Sequence, residues 1–194
     1  MSDGIFRVLF FVCVIAESAI RVVYTRQHKL RGTAFRRERG LSGLAALPSL
    51  GMFIVPLLYV LTSWLDFADY QLPMWAGWVG VVIFAASPWL LWRSHADLGL
   101  NWLPTPDIRE GHTLVTDGVF RYIRHPMYAA HWLWAIAQPL LLQNWIAGLS
   151  MAASMLPLYL VRVRQEEQMM LEQFGEEYRV YMGRTGRVVP RLWR

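Results

Sequence analysis

The sequence has one cysteine, Cys13, in 194 residues. An internal disulfide is therefore impossible, which excludes the disulfide-stapled scaffolds of small secreted domains. Charged residues make up only 17% of the chain. No internal repeat and no low-complexity tract is present, so neither a repeat array nor a biased tail organises it. The histidines do not fall at metal-ligand spacing, and the lone cysteine lies far from them, which argues against a metal site. The extreme N-terminus lacks a basic cluster and Glu17 sits late in the first apolar run, so that run reads as a retained helix rather than a cleaved signal.

What is present is apolar. Hydrophobic residues make up 55% of the chain, mean hydropathy is +0.29, and there are 10 tryptophans. Soluble domains run at about 45–50% apolar. The excess falls in long blocks, which predicts an all-α, polytopic integral membrane protein folded as one domain over 1–194. Net charge is +5 with a pI near 9.7. Its basic residues cluster beside the apolar blocks, the pattern of a membrane protein with a positive inner side rather than of a nucleic-acid binder.

Five apolar runs can be followed in order: Ile5–Tyr24, Leu41–Leu65, Met74–Trp92, Met127–Gln143 and Trp145–Val161. Glu17 and Arg21 interrupt the first at i,i+4 spacing, which lets them pair on one helix face. Gly43, Gly51, Pro48 and Pro56 lie inside the second, where such breakers are tolerated if neighbours satisfy the freed carbonyls. Gly43 and Gly51 share a face suited to close helix contact. Trp75, Trp78, Trp89 and Trp92 bracket the third as interface anchors. The last two runs form a tight hairpin about Asn144, each slightly short for a full span, with Pro139 and Pro157 as kink positions.

Polar segments set the orientation. The loop containing Arg26, His28, Lys29, Arg31, Arg36, Arg37 and Arg39 is the most basic, so it is assigned to the cytoplasm, while the turn around Asp66 and Asp69 lies outside. Five spans then place the N-terminus outside and the C-terminus inside. The longest polar stretch, Ser94–Arg124, holds Gly99, Pro104, Pro106, Gly111 and Gly118, so it is an ordered loop with turns. From Arg162 onward the chain turns polar and reads as an amphipathic helix ended by Gly183, Gly186 and Pro190. These cytoplasmic elements can meet, and that convergence is the basis for a site.

The centre of that site is Phe120-Arg121-Tyr122-Ile123-Arg124-His125-Pro126-Met127-Tyr128. Pro126 disfavours helix at His125 and fits the first helical turn, so the knot sits at a helix start with free N–H donors and a positive dipole end. His125 is then either a helix cap or a ligand. Arg162 and Arg164 are either membrane-edge anchors or site residues. Glu166 and Glu167 are either a solvated face or a binding pair for a cationic group. His131, inside an apolar run, reads as a buried, hydrogen-bonded residue.

The motifs taken together carry a resemblance. His112-Thr113-Leu114-Val115, Gly118-Val119-Phe120 and Arg124-His125-Pro126-Met127-Tyr128 are similar to the isoprenylcysteine carboxyl methyltransferase family. So are Asp97-Leu98-Gly99 with Asn101-Trp102, and Glu166-Glu167 followed by Phe174-Gly175-Glu176-Glu177-Tyr178. The span plan resembles the family's short, five-span prokaryotic members. The resemblance implies a membrane methyltransferase that uses S-adenosylmethionine, with S-adenosylhomocysteine as product, bound within about 94–190 at the cytoplasmic face of a prokaryotic inner membrane. It implies that His112, Thr113, Leu114, Val115, Phe120, His125, Pro126, Met127, Tyr128, Glu166 and Glu167 bind the cofactor. It implies catalytic roles for Arg162, against the acceptor, and for Glu166. Phe120 replaces a frequent tyrosine of the family, and Ala130 a frequent glycine or serine. The implied partners are membrane lipids and a lipophilic or small-molecule methyl acceptor, carboxylate-bearing if the family name applies; no protein partner and no nucleic acid is implied. Two alternatives stay open: an NADPH-dependent membrane reductase of the sterol type, and a non-enzymatic scaffold or small transporter.

Overall fold

The computed structural model describes residues 2–30, 42–102 and 113–191. Its helices are α1 (Ser2–Leu30), α2 (Ser42–Ser49), α3 (Val55–Leu61), α4 (Met74–Leu98), α5 (Pro126–Leu142) and α6 (Trp145–Arg184). A π turn, Leu50–Ile54, joins α2 to α3, so the second apolar run is one continuous helical path. No strand longer than an isolated bridge occurs among the described residues. Helix is what a chain in hydrocarbon must form, since each segment satisfies its own backbone there.

All five predicted runs are helical. Among the described residues, three stretches are long and apolar enough to cross a bilayer: Leu44–Leu61, Met74–Leu98 and Trp145–Arg184. The other two runs differ for visible reasons. α1 carries Arg7, Glu17 and Arg21 within its apolar stretch. α5 has 17 residues, and at 1.5 Å per residue it is about 26 Å long, a little under a hydrocarbon core of about 30 Å.

The core is aromatic. Phe6, Phe10 and Val14 of α1, Phe84 of α4, Trp134, Leu141 and Leu142 of α5, and Met151 and Met155 of α6 are buried together. The Phe84 ring lies 5.4 Å from Phe10 and 5.0 Å from Trp134, tilted against both. α5 is central, packed on α4 and α6.

The breakers of the second run do what a membrane demands. In the π turn the Val55 N–H donates to the Leu50 carbonyl, five residues back. Continuing that register, residue 56 would donate to the Gly51 carbonyl, and proline has no N–H to give. The orphaned oxygen instead accepts from Gln138 Nε2 at 3.0 Å and Ser150 Oγ at 3.2 Å. α6 passes close to Gly51, since a Cβ there would lie 2.3 Å from the Ser150 carbonyl. The side chain of Gly43 lies outside the described residues.

The α5–α6 hairpin forms as expected. Gln143 adopts the left-handed conformation at φ 49° and Asn144 caps α6. Asn144 Oδ1 accepts from the Ile146 and Ala147 N–H groups at 3.0 and 2.9 Å, and its Nδ2 donates to the Leu65 carbonyl and Asp69 Oδ1, both at 2.7 Å. Pro139 and Pro157 sit inside their helices.

Two expectations need correction. Glu17 and Arg21 do not form an ion pair; Glu17 Oε1 engages the Ser87 hydroxyl, which also bonds the Ala130 carbonyl at 2.7 Å. The amphipathic C-terminal helix is not a separate element either. It continues the last apolar run as α6 and breaks at Gly175 (φ 52°, ψ −119°), while Gly183 lies within the helix. Gly175 can take that left-handed backbone because it has no Cβ.

Asn144→Ala removes the cap and both ties to the 65–69 turn. It should lower unfolding stability in detergent by about 1–2 kcal/mol, read from thermal denaturation. Asn144→Asp, which keeps the cap but loses the donor and faces Asp69, should fall between the two.

Candidate functional site

The helix start at Pro126 is held from both sides. From the α4 side, Asp97 Oδ2 accepts the Val119 N–H at 2.9 Å, and Arg93 donates to Asp97 Oδ1 at 2.6 Å. Gly118 (φ +59°) makes this possible: a Cβ there would lie 2.1 Å from Asp97 Oδ2. The following turn, Gly118–Arg121, buries Phe120, whose carbonyl accepts from Tyr181 Oη at 2.7 Å. From the other side, the segment after α6 returns and pairs with the knot through an Ile123–Gly186 bridge. The Arg124 N–H donates to the Gly186 carbonyl at 2.8 Å and the His125 N–H to the Arg187 carbonyl at 2.9 Å.

Glu166 and Glu167 enter this frame from α6. Adjacent helical residues point about 100° apart, so the two carboxylates meet different partners. Glu167, 5% exposed, is fully engaged. It accepts from Arg124 Nε and Nη2 at 3.1 Å and from Arg187 Nη2 at 2.7 Å, and His125 Nε2 stands 3.4 Å away. The remaining donor edge of Arg124 is spent on the carbonyls of Met182, at 3.2 Å, and Thr185. Glu166 keeps a side chain 24% exposed, accepts from Tyr128 Oη at 2.6 Å, and lies 3.5 Å from His125 Nδ1.

His125 is thus buried between two carboxylates. Burial opposes its charge, but the hydrogen bonds and negative charges of Glu166 and Glu167 outweigh that penalty and raise its pKa above the usual imidazole value. Aromatic rings continue from this point: His125 to Tyr128 at 5.8 Å, Tyr128 to Tyr159 at 5.6 Å, and Tyr159 to Trp132 at 5.6 Å.

Of the residues singled out from the sequence, His125, Tyr128, Glu166 and Glu167 are brought into one cluster. Pro126 starts α5, and the Met127 carbonyl accepts from His131 Nδ1 at 2.6 Å. Arg162 sits one turn before Glu166 on α6, within electrostatic range of Tyr128. Phe120 packs inward, below the cluster. Thr113 is held by Asn101, through Oγ1 at 3.0 Å and its N–H at 3.2 Å. No hydrogen bond or ion pair among the described residues links Thr113, Leu114 or Val115 to Glu166. His112 lies outside the described residues. Sequence reasoning missed Arg187, Thr185 and Tyr159. The first two lie in a tail that no periodicity marks, and Tyr159 is hidden in an apolar run.

Residues 78–172 match the isoprenylcysteine carboxyl methyltransferase (ICMT) family. That segment is the part of the chain that resembles this family. The chain is 29% identical over 139 residues to the protein-S-isoprenylcysteine O-methyltransferase of Homo sapiens, covering 67% of this chain and 49% of that protein. The Schizosaccharomyces pombe protein of the same name is 32% identical over 79 residues, covering 41% of this chain and 34% of that one. The chain spans about half the length of the human relative it matches. The structure of a eukaryotic intramembrane Ras methyltransferase, ICMT, superposes with a TM-score of 0.56 at 22% identity, covering 80% of this chain and 55% of that one, which shows a shared membrane fold. The segment that matches the ICMT family holds Asp97, His125, Tyr128, Arg162, Glu166 and Glu167, while the tail that frames them, Tyr181 to Arg187, lies beyond it.

A raised folded-state pKa means that His125 stabilises the ICMT-type site fully below its unfolded value of about 6.5, and that this contribution is lost as pH rises through the folded value. Thermal unfolding in detergent from about pH 5.5 upward should show a midpoint that declines with pH, and His125→Asn should flatten the decline. An equal slope in the variant would remove His125 as its source.

Proposed function

We propose that this protein is an S-adenosylmethionine-dependent methyltransferase of the membrane, with its donor site at Glu166, His125 and Tyr128 and a lipophilic carboxylate as acceptor. The observation that supports it most is the meeting of two segments far apart in sequence, the knot before α5 and the paired acids on α6, with one carboxylate left partly open. The relatives carry methyltransferase names, and isoprenylcysteine supplies the acceptor class. The reductase and non-enzymatic alternatives have no comparable support.

The residues fit such a donor. S-adenosylmethionine supplies a methyl group already activated on a sulfonium, together with an ammonium, a carboxylate and an adenine. Glu166 offers negative charge to the cationic part. The helix-start amides of α5 offer donors to the anionic part, and His125, set between Glu166 and Glu167, holds the two acids in place. The rings of Tyr128 and Tyr159 offer faces for adenine or sulfonium. Arg124, with its donors consumed by Glu167 and the tail carbonyls, frames the site rather than binding in it. The stretch from His112 to Val115 completes the donor site in this reading.

A carboxylate acceptor has no proton to surrender, so the site needs no strong general base. Its task is to align two partners and keep water out. Arg162 orients the acceptor carboxylate through a charge-assisted fork. The acceptor's apolar chain lies in the bilayer, and the site faces the cytoplasm of a prokaryotic cell with the N-terminus outside.

The direct experiment supplies labelled S-adenosylmethionine and an S-prenylated N-acyl cysteine to the protein in detergent or nanodiscs. Transfer to the free acid and none to its amide is expected; donor binding without transfer to any carboxylate would overturn the acceptor assignment. Glu166→Gln should weaken donor binding about tenfold or more by calorimetric titration, whereas unchanged affinity would take Glu166 out of the donor site.

A further inference from the structure

The apolar run of α6 ends before Arg162, and the helix continues to its break at Gly175. Beyond the break the chain is tied to the start of α5. The Tyr181 hydroxyl donates to the Phe120 carbonyl at 2.7 Å, the Gly186 N–H to the Tyr122 carbonyl at 3.4 Å, and the Arg124 N–H to the Gly186 carbonyl at 2.8 Å. Pro126 then opens an apolar helix of 17 residues. The segment around Gly186 is therefore held at the level where an apolar helix begins, which in a bilayer is the headgroup zone.

Charge along this segment is sorted. The acids Glu172, Glu176 and Glu177 flank the break, and Glu176 is paired with Arg179 at 3.2 Å. From Tyr178 to Arg194 the sequence has five arginines and no acid. Arg187 is taken by Glu167, at 2.7 Å. Arg184 and Arg191 are exposed, and so is Arg121, which stands between Phe120 and Tyr122, both bonded to the segment 181–186. Arg191 is folded onto the Gly183 carbonyl, and the Val189 carbonyl occupies the place of a Gly186 Cβ, so the backbones that carry the three arginines are held together. Among the described residues Arg121 and Arg184 have no carboxylate partner, Asp117 included. The side chains beside them are open too: Tyr122 is 60% and Val189 64% exposed.

We propose that Arg121, Arg184 and Arg191, with Tyr122 and Val189 among them, form a docking surface for anionic phospholipid headgroups, whose binding braces the returning tail against the start of α5. A guanidinium fork matches a phosphate, and each basic side chain beside an anionic leaflet adds to the attraction. A tyrosine and a valine at the same level enter the headgroup boundary. A soluble anion would use the charges alone, whereas a lipid surface uses the charges and the apolar pair together. The acids lie at the Gly175 end, the end not tied to α5, which keeps them from an anionic surface. The same tail brings Arg187 to Glu167, so headgroups that hold the tail also hold the frame of the site. Neither a methyl donor nor an acceptor is needed for this binding.

The test compares thermal unfolding of the full chain in nanodiscs of phosphatidylcholine and of phosphatidylcholine mixed with phosphatidylglycerol. The midpoint should be about 5 °C higher with phosphatidylglycerol. Raising salt from about 0.1 to 1 M, which shortens the screening length from about 10 to 3 Å, should remove most of that gain. The double variant Arg184→Gln, Arg191→Gln should keep its phosphatidylcholine midpoint within about 2 °C of the wild type and lose most of the gain. A gain kept in full by this variant overturns the proposal and assigns the lipid dependence to other basic residues. An equal gain from inorganic phosphate added to phosphatidylcholine discs also overturns it, since the surface would then be a soluble-anion site. If the double variant does not fold, the wild-type chain decides. A photoreactive phosphatidylglycerol should label the peptide spanning 184–191 more than the matching phosphatidylcholine probe does, and equal or absent labelling there overturns the proposal.

Discussion

The buried carboxylate of Glu167 is the contact on which the site depends. It joins α6, the helix start at His125 and the returning tail, through Arg124 on one side and Arg187 on the other. Charges taken out of water are expensive, and they are tolerated where every lone pair and donor finds a partner. Glu167 meets that condition, and Arg124 passes the constraint on to the carbonyls of Met182 and Thr185. Removing one partner from such a network leaves an uncompensated buried charge, on the scale of about 3–5 kcal/mol. The network therefore fixes the geometry of the site before any ligand arrives.

On the proposed function, this division gives the two adjacent glutamates different tasks. A single carboxylate held by two guanidiniums has little capacity left for a ligand. A second one, rotated by a helical step, shares the rigid support and remains half-open to Tyr128 and the space beyond. His125 spans both, so its charge is coupled to the frame and to the binding side at once. The aromatic rings that follow along α5 and α6 are placed by the same rigid pair of helices.

Much of this was legible in the sequence where short-range chemistry decides. Pro126 located the α5 start, Asn144 the hairpin, and Pro56 with Gly51 the point where a carbonyl would need outside help. The joint spacing of the motifs located the convergence of His125 and Tyr128 with Glu166. What was not legible depends on tertiary geometry. The i,i+4 spacing of Glu17 and Arg21 allows a pair, but Ser87 on α4 competes for Glu17, and no local rule contains α4. Gly175 looked like one residue of a motif and its break in the helix was not foreseen, whereas the helix does end beside Gly183, at Arg184. Arg187 lies in a tail with no periodicity, and only the return of that tail against Tyr122–His125 gives it a function.

The continuity of α6 has a consequence for where chemistry can sit. From Trp145 to Arg162 an unbroken helix rises about 26 Å, close to the thickness of a hydrocarbon core. Arg162 thus emerges near the boundary opposite the α5–α6 turn, and Glu166 stands one turn further toward water. On the proposed function, a lipophilic acceptor with an anionic head group meets the same two zones in the same order, its chain among apolar helices and its charge at the level of Arg162. The proposed donor, polar and water-borne, meets Glu166 from the other side. A helix broken at residue 161 would have let these two levels drift relative to each other. One rigid rod fixes their separation, which on the proposed function sets the distance between acceptor and donor.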